Sequence, residues 1–106
     1  MDDQELTNLC MEADEYRKKG KLKKAIDICN KVLQLRSSAI GPYVIRGLAI
    51  SEQGNIQAGC ADVFQAGLMY IQEKNKHDAL ECIRLLSVIN PSSPLIDKLT
   101  KLMGKI

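Results

Sequence analysis

The residues of this 106-residue chain that could carry chemistry are few: four cysteines, one histidine and a scatter of acids. Cys10, Cys29, Cys60 and Cys82 follow one another at intervals of 19, 31 and 22 residues. A zinc site normally takes two of its ligands from positions two to four apart on a tight turn. No such pair exists here, and His77 has no cysteine within four residues, so no metal site is expected. All four cysteines fall on apolar helical stripes, where a thiol packs as a small hydrophobe. They read as reduced core thiols of a cytoplasmic protein. His77 has the ordinary pKa that suits general-base work, but it stands between Lys76 and Asp78 in a charged turn and reads as a solvated surface residue. Glu12 and Glu15 lie three apart with Asp14 on another face, and acids on an exposed helix meet water. No nucleophile elbow, phosphate loop or dinucleotide fingerprint is present. The expectation is a protein that is not an enzyme and needs no cofactor.

The strongest charge feature is the run Arg17, Lys18, Lys19, Lys21, Lys23 and Lys24, which follows fifteen residues holding six acids and no base. The plain reading is a solvated turn that also meets the negative end of the preceding helix. The sharper readings are a patch for an acidic partner or for nucleic acid. Stacking on bases would need aromatics beside the bases, and the only one nearby is Tyr16, which the core pattern claims. Net charge is only +2, so the chain as a whole does not require a polyanion.

The elements that must position these residues are helices. The chain is 45% hydrophobic and 26% charged, ordinary for a globular domain and long enough to bury a core without disulfides. Its apolar residues recur at three and four rather than two. A first helix carries Leu6, Leu9, Cys10, Ala13 and Tyr16 and stops at Gly20. A second runs from Leu22 through Ala25, Ile26, Cys29 and Val32 and fades at Arg36. Pro42 opens a third, which ends at Gly54, and Asn55 caps a long fourth reaching Ile71. Residues 73 to 78 read as a polar turn before a fifth helix from Ala79 to Ile89. Ser93 and Pro94 then open a sixth. No apolar run approaches the roughly 20 residues of a membrane span, and the acidic start has no secretory leader. Short connections between six helices imply antiparallel neighbours stacked in order.

Sliding the chain on itself by 34 residues pairs Gly20 with Gly54, Ala13 with Gly47, Leu22 with Ile56 and Ala25 with Gly59. A period of 34 with two helices per unit resembles the tetratricopeptide repeat. That family places small residues at repeat positions 8, 20 and 27, aromatics at 4, 11 and 24, glycine at 15 and proline at 32. With a first repeat starting at Leu6, Ala13, Tyr16, Gly20 and Ala25 fit; Leu9, Cys29, Val32 and Ser37 depart. With a second starting at Ile40, Tyr43, Gly47, Gly54 and Ala66 fit; Ile50, Gly59, Val63 and Ile71 depart. Beyond residue 73 the frame slips, and a frame opened at Cys60 does better, since Gly67, Tyr70, Ala79 and Pro91 fall on pattern. The resemblance implies an all-α, right-handed stack of about six antiparallel helices in one domain over residues 1–106. Its units are a repeat at 6–39, a second at 40–73, and a degenerate third repeat or capping helices at 74–106.

In that family the first helix of each repeat lines a concave groove. Carried over, the first repeat offers Thr7, Cys10, Met11, Asp14, Arg17 and Lys18, and the second Gly41, Val44, Ile45, Leu48, Ser51 and Glu52. The co-chaperone branch grips an acidic tail with a lysine and two asparagines; here those places hold Cys10, Asp14 and Ile45, so an acidic tail has no clamp. What remains is an apolar strip with Cys10, Met11, Val44, Ile45 and Leu48, flanked by Asp14 and Ser51. This implies a protein-binding module that takes an apolar or amphipathic helix of a partner. The run Tyr43-Val44-Ile45-Arg46-Gly47-Leu48-Ala49, followed by Glu52-Gln53-Gly54, is similar to the type III secretion chaperones and implies a small chaperone or adaptor. The alternatives are a homo-oligomer using the same strip, and a nucleic-acid adaptor using the lysine cluster.

Overall fold

The computed structural model describes residues 1–106 as six helices and no strand. They are α1 (Asp3–Lys18), α2 (Leu22–Leu35), α3 (Gly41–Glu52), α4 (Ile56–Gln72), α5 (Lys76–Ile89) and α6 (Pro94–Met103). Each packs antiparallel on the next, and α1 touches α3 while α4 touches α6. The result is a TPR-like helical stack, a slab of 33 × 31 × 19 Å. No helix is long and apolar enough to cross a membrane.

The ends of the helices follow from local side chains. The Asp2 carboxylate accepts from the Glu5 backbone N–H at 2.8 Å and caps α1, whose first turn is acidic and last turn basic. Asn55, Asn75 and Ser93 cap α4, α5 and α6 in the same way. Asn75 corrects the sequence expectation: α5 starts at Lys76, so Lys76, His77 and Asp78 are its first turn and not part of a loop.

Two kinds of turn join the helices. After α1 and after α3, a glycine with positive φ (Gly20 at +80°, Gly54 at +100°) reverses the chain. The residue after it returns its N–H to the preceding helix, Lys21 to the Tyr16 carbonyl and Asn55 to the Ile50 carbonyl. The turn after α4 has the same hydrogen bonds, Asn75 to the Tyr70 carbonyl at 2.9 Å, but the left-handed position holds Lys74 at φ +58°. The turns after α2 and α5 are of the other kind. Arg36 and Asn90 are extended, at φ/ψ −149°/88° and −152°/93°, and donate to Val32 and Leu86 carbonyls at 2.8 Å. Thus α4 is entered and left through the same kind of turn, and it is the second helix to α3 and the first to α5.

Small residues set the spacing of that shared helix. A Cβ on Gly47 would lie 2.8 Å from the Gly59 carbonyl oxygen, and one on Gly59 would lie 2.6 Å from the Gly47 carbonyl oxygen, so α3 and α4 touch backbone to backbone. The largest buried cluster is built around α4, where Cys60, Val63 and Ala66 meet Cys82 and Leu86 of α5 and Leu99 of α6. A polar staple ties α2, α3 and α4 together. Arg46 of α3 donates twice to Asp62 of α4, at 2.7 and 2.9 Å, and once to Asn30 of α2 at 2.9 Å. Nothing in the repeat pattern marks Arg46, and only the fold brings its two partners to it.

Candidate functional site

The first-helix positions converge. Leu6, Thr7, Cys10, Met11, Asp14 and Arg17 of α1 face Gly41, Val44, Ile45 and Leu48 of α3 across an open concavity of about 570 Å³. The third wall is α5, through Glu81 and Leu85. A smaller inner lobe of about 240 Å³ shares Gly41, Val44, Ile45, Glu81 and Leu85, and adds Tyr70, Asp78 and Cys82. Of the helices beyond residue 74, α5 borders the groove and α6 lines neither lobe. The signal for α5 was the Cys60 frame, which sets α5 as the partner of α4 but carries no groove positions of its own.

The floor is apolar and partly open. Val44, Ile45 and Leu48 are half-buried, while Met11 is 60% exposed. The Cys10 sulfur lies 3.7 Å from where a Cβ on Gly41 would be, so a side chain there would narrow the floor. Burial raises the Cys10 thiol pKa. Cys29 and Cys82, deeper in the stack, are pushed up to about 12, first by burial, with Asp78 and Glu81 adding to the rise at Cys82. All four thiols are unpaired. No group of three or more His, Cys, Asp or Glu side chains is placed to hold a metal ion. His77 is exposed on the first turn of α5, outside both lobes.

One end of the groove is closed by charge. Arg17 donates to Asp14 at 3.0 Å and to Glu52 at 2.6 Å, and Lys18 reaches Asp14 at 3.3 Å. Burial opposes the Arg17 charge, and the hydrogen bonds to Glu52 and Asp14 outweigh it, so its pKa is raised. Asp14 is thus an anchor for two bases rather than a free acid in the groove. Three of the residues expected on the groove face do not line the concavity, Glu52 among them, which is held at its edge by Arg17. Ser51 lies against α4, its Cβ 2.7 Å from where a Cβ on Gly59 would be, and its hydroxyl donates to the Leu48 carbonyl. Lys18 stays outside the concavity, tied to Asp14.

The basic cluster does not stand as one patch. Arg17 is consumed inside the groove, Lys18 is paired with Asp14, and Lys24 lies over the Tyr16 ring at 5.4 Å. Lys19, Lys21 and Lys23 remain as exposed bases at the α1–α2 turn. Spacing along the chain could not show this, because the neutralising partner Glu52 is 35 residues away.

The family model for the tetratricopeptide repeat matches residues 6–38, which span α1, α2 and the turn after them. No curated protein and no solved structure matches the chain. Together with the six-helix stack, the match makes this a TPR-like helical protein. The repeat is in general a non-catalytic unit of protein–protein interaction.

Proposed function

We propose that this chain is a protein-interaction module that receives an apolar or amphipathic segment of a partner protein in the concavity between α1, α3 and α5. The supporting observation is the groove itself: an apolar floor of Cys10, Met11, Val44, Ile45 and Leu48, about 570 Å³ in volume and open to solvent. Covering one large apolar side chain there stabilises a complex by roughly 1.5–3 kcal/mol before ordering costs. The unit is taken as one domain, with repeats at 6–39 and 40–73 and a frame-shifted remainder at 74–106. The narrower reading is a small chaperone or adaptor of the secretion type, resting on the Tyr43–Ala49 run, whose Val44, Ile45 and Leu48 face the groove. A cytoplasmic setting belongs to the same reading and rests on four thiols packed as apolar side chains.

The test is affinity capture followed by direct binding of the captured segment. Ile45→Asp and Leu48→Asp each place a carboxylate on the floor, and both are expected to abolish binding while the helical circular dichroism survives. Unchanged binding with an intact fold would remove the groove from the account. Light scattering of the purified chain separates partner binding from a homo-oligomer on the same strip. A mass that stays monomeric as concentration rises supports the partner reading, and a dimer lost in Leu48→Asp contradicts it.

A further inference from the structure

The charges around the concavity are unequally satisfied. At the α1–α3 end both bases are engaged, Arg17 with Asp14 and Glu52, and Lys18 with Asp14. At the α5 end Glu81 is paired with a base and Asp78 is not. Asp78 is half-buried in the inner lobe, where its carboxylate accepts from the Asn75 side-chain amide at 2.9 Å and meets no cation. Glu81 borders both lobes, and its one cationic partner is the exposed Arg84 of its own helix. The Tyr70 hydroxyl is the third polar group of that lobe; burial first and the Asp78 charge second raise its pKa. The remaining wall is Val44, Ile45 and Leu85.

An occupant laid over this lobe strips water from Asp78. An apolar occupant would leave that carboxylate covered and unpaired, which is costly, and an acidic one would add repulsion. A segment that brings its own cation offsets the loss. Building on the proposed groove, we infer that its occupant is a basic amphipathic segment of a partner protein. Apolar side chains fill the outer lobe. One lysine or arginine enters the inner lobe, its aliphatic stem on Val44, Ile45 and Leu85 and its charged head among Asp78, Glu81 and Tyr70. The chain's own net charge of +2 gives no general attraction for cations, so such selectivity would be local to this site.

The probes are three synthetic helical peptides with one leucine stripe and otherwise lysine, glutamine or glutamate. Affinity for the full chain is read by fluorescence anisotropy, and the site by methyl shifts of Val44, Ile45, Leu48 and Leu85. The lysine peptide is expected to bind at these methyls roughly tenfold tighter than the glutamine peptide, with the glutamate peptide weakest. Asp78→Asn and Glu81→Gln should each weaken the lysine peptide about three- to tenfold and the glutamine peptide clearly less. Glu81 is exposed, so its variant reads the charge without disturbing the fold. Equal affinities for the lysine and glutamate peptides, or no effect of either variant, would overturn the inference. If the glutamine peptide still moves the groove methyls, the groove survives and only its preference for bases is lost. If no peptide moves them, both the inference and the groove fall.

Discussion

Replacing Lys74 with glycine should stabilise the protein. Lys74 sits at φ +58° in the turn after α4, where the two sister turns have Gly20 and Gly54. A residue with a Cβ pays about 1–2 kcal/mol in the left-handed region. Glycine removes that strain but makes the unfolded chain freer, at a cost of roughly 0.5–1 kcal/mol. Lys74 is exposed and makes no ion pair, so no salt bridge is lost. The net expectation for Lys74→Gly is a gain of about 0.5–1 kcal/mol, or a rise in Tm of about 2–6 °C. Gly54→Ala is the mirror experiment. A Cβ there meets nothing within 4 Å, so the loss is purely conformational, and φ +100° lies further from what L residues adopt. It should cost more than about 1 kcal/mol. Urea unfolding of both variants, with the slope unchanged and the midpoint moved in opposite directions, checks the pair. A neutral or destabilised Lys74→Gly would refute the equivalence of the three turns, and with it the reading of α4 as partner to both α3 and α5.

Gly59→Ala should destabilise by about 1–3 kcal/mol or more, because its methyl would meet the Gly47 carbonyl and force α3 and α4 apart; an unchanged denaturation midpoint would contradict this. Arg46→Ala should cost about 2–3 kcal/mol, and a cycle with Asp62→Ala should show strong coupling, whereas additive losses would dissolve the staple. The Cys29 and Cys82 pKa values rise from the ordinary 9.0 to about 12 on folding. The unfolded chain therefore loses those protons first, and stability present below pH 9.0 drains away as pH climbs toward 12; Cys29→Ala and Cys82→Ala should flatten that decline, and a slope they leave untouched would refute the assignment.

Much of the groove was legible because a 34-residue period carries facing positions along with it. Thr7, Cys10, Met11, Asp14 and Arg17, and Gly41, Val44, Ile45 and Leu48, were all read from register and all line the concavity. Ser51, read from the same register, does not line it, because the close approach at Gly59 draws that end of α3 toward α4. The start of α5 was obscured by Lys74, a residue that does not announce a left-handed turn as glycine does. The third wall was hidden for the same reason, since Glu81 and Leu85 belong to a frame that α4 carries over from the second repeat. Arg46 and the dispersal of the lysine cluster depend on partners far along the chain, Asp62 and Glu52, and local pattern holds no trace of them.

Two methionine- and leucine-sized surfaces allow a matched comparison of the groove with the rest of the surface. Met11, on the groove, is 60% exposed, and Leu35, at the end of α2 and outside it, is 64% exposed. Met11→Gln and Leu35→Gln should perturb folding alike, so a partner-binding isotherm measured on both isolates location as the variable. The account predicts that Met11→Gln weakens binding by roughly five- to tenfold while Leu35→Gln leaves it unchanged. Equal losses in the two variants, or none in Met11→Gln, would contradict it.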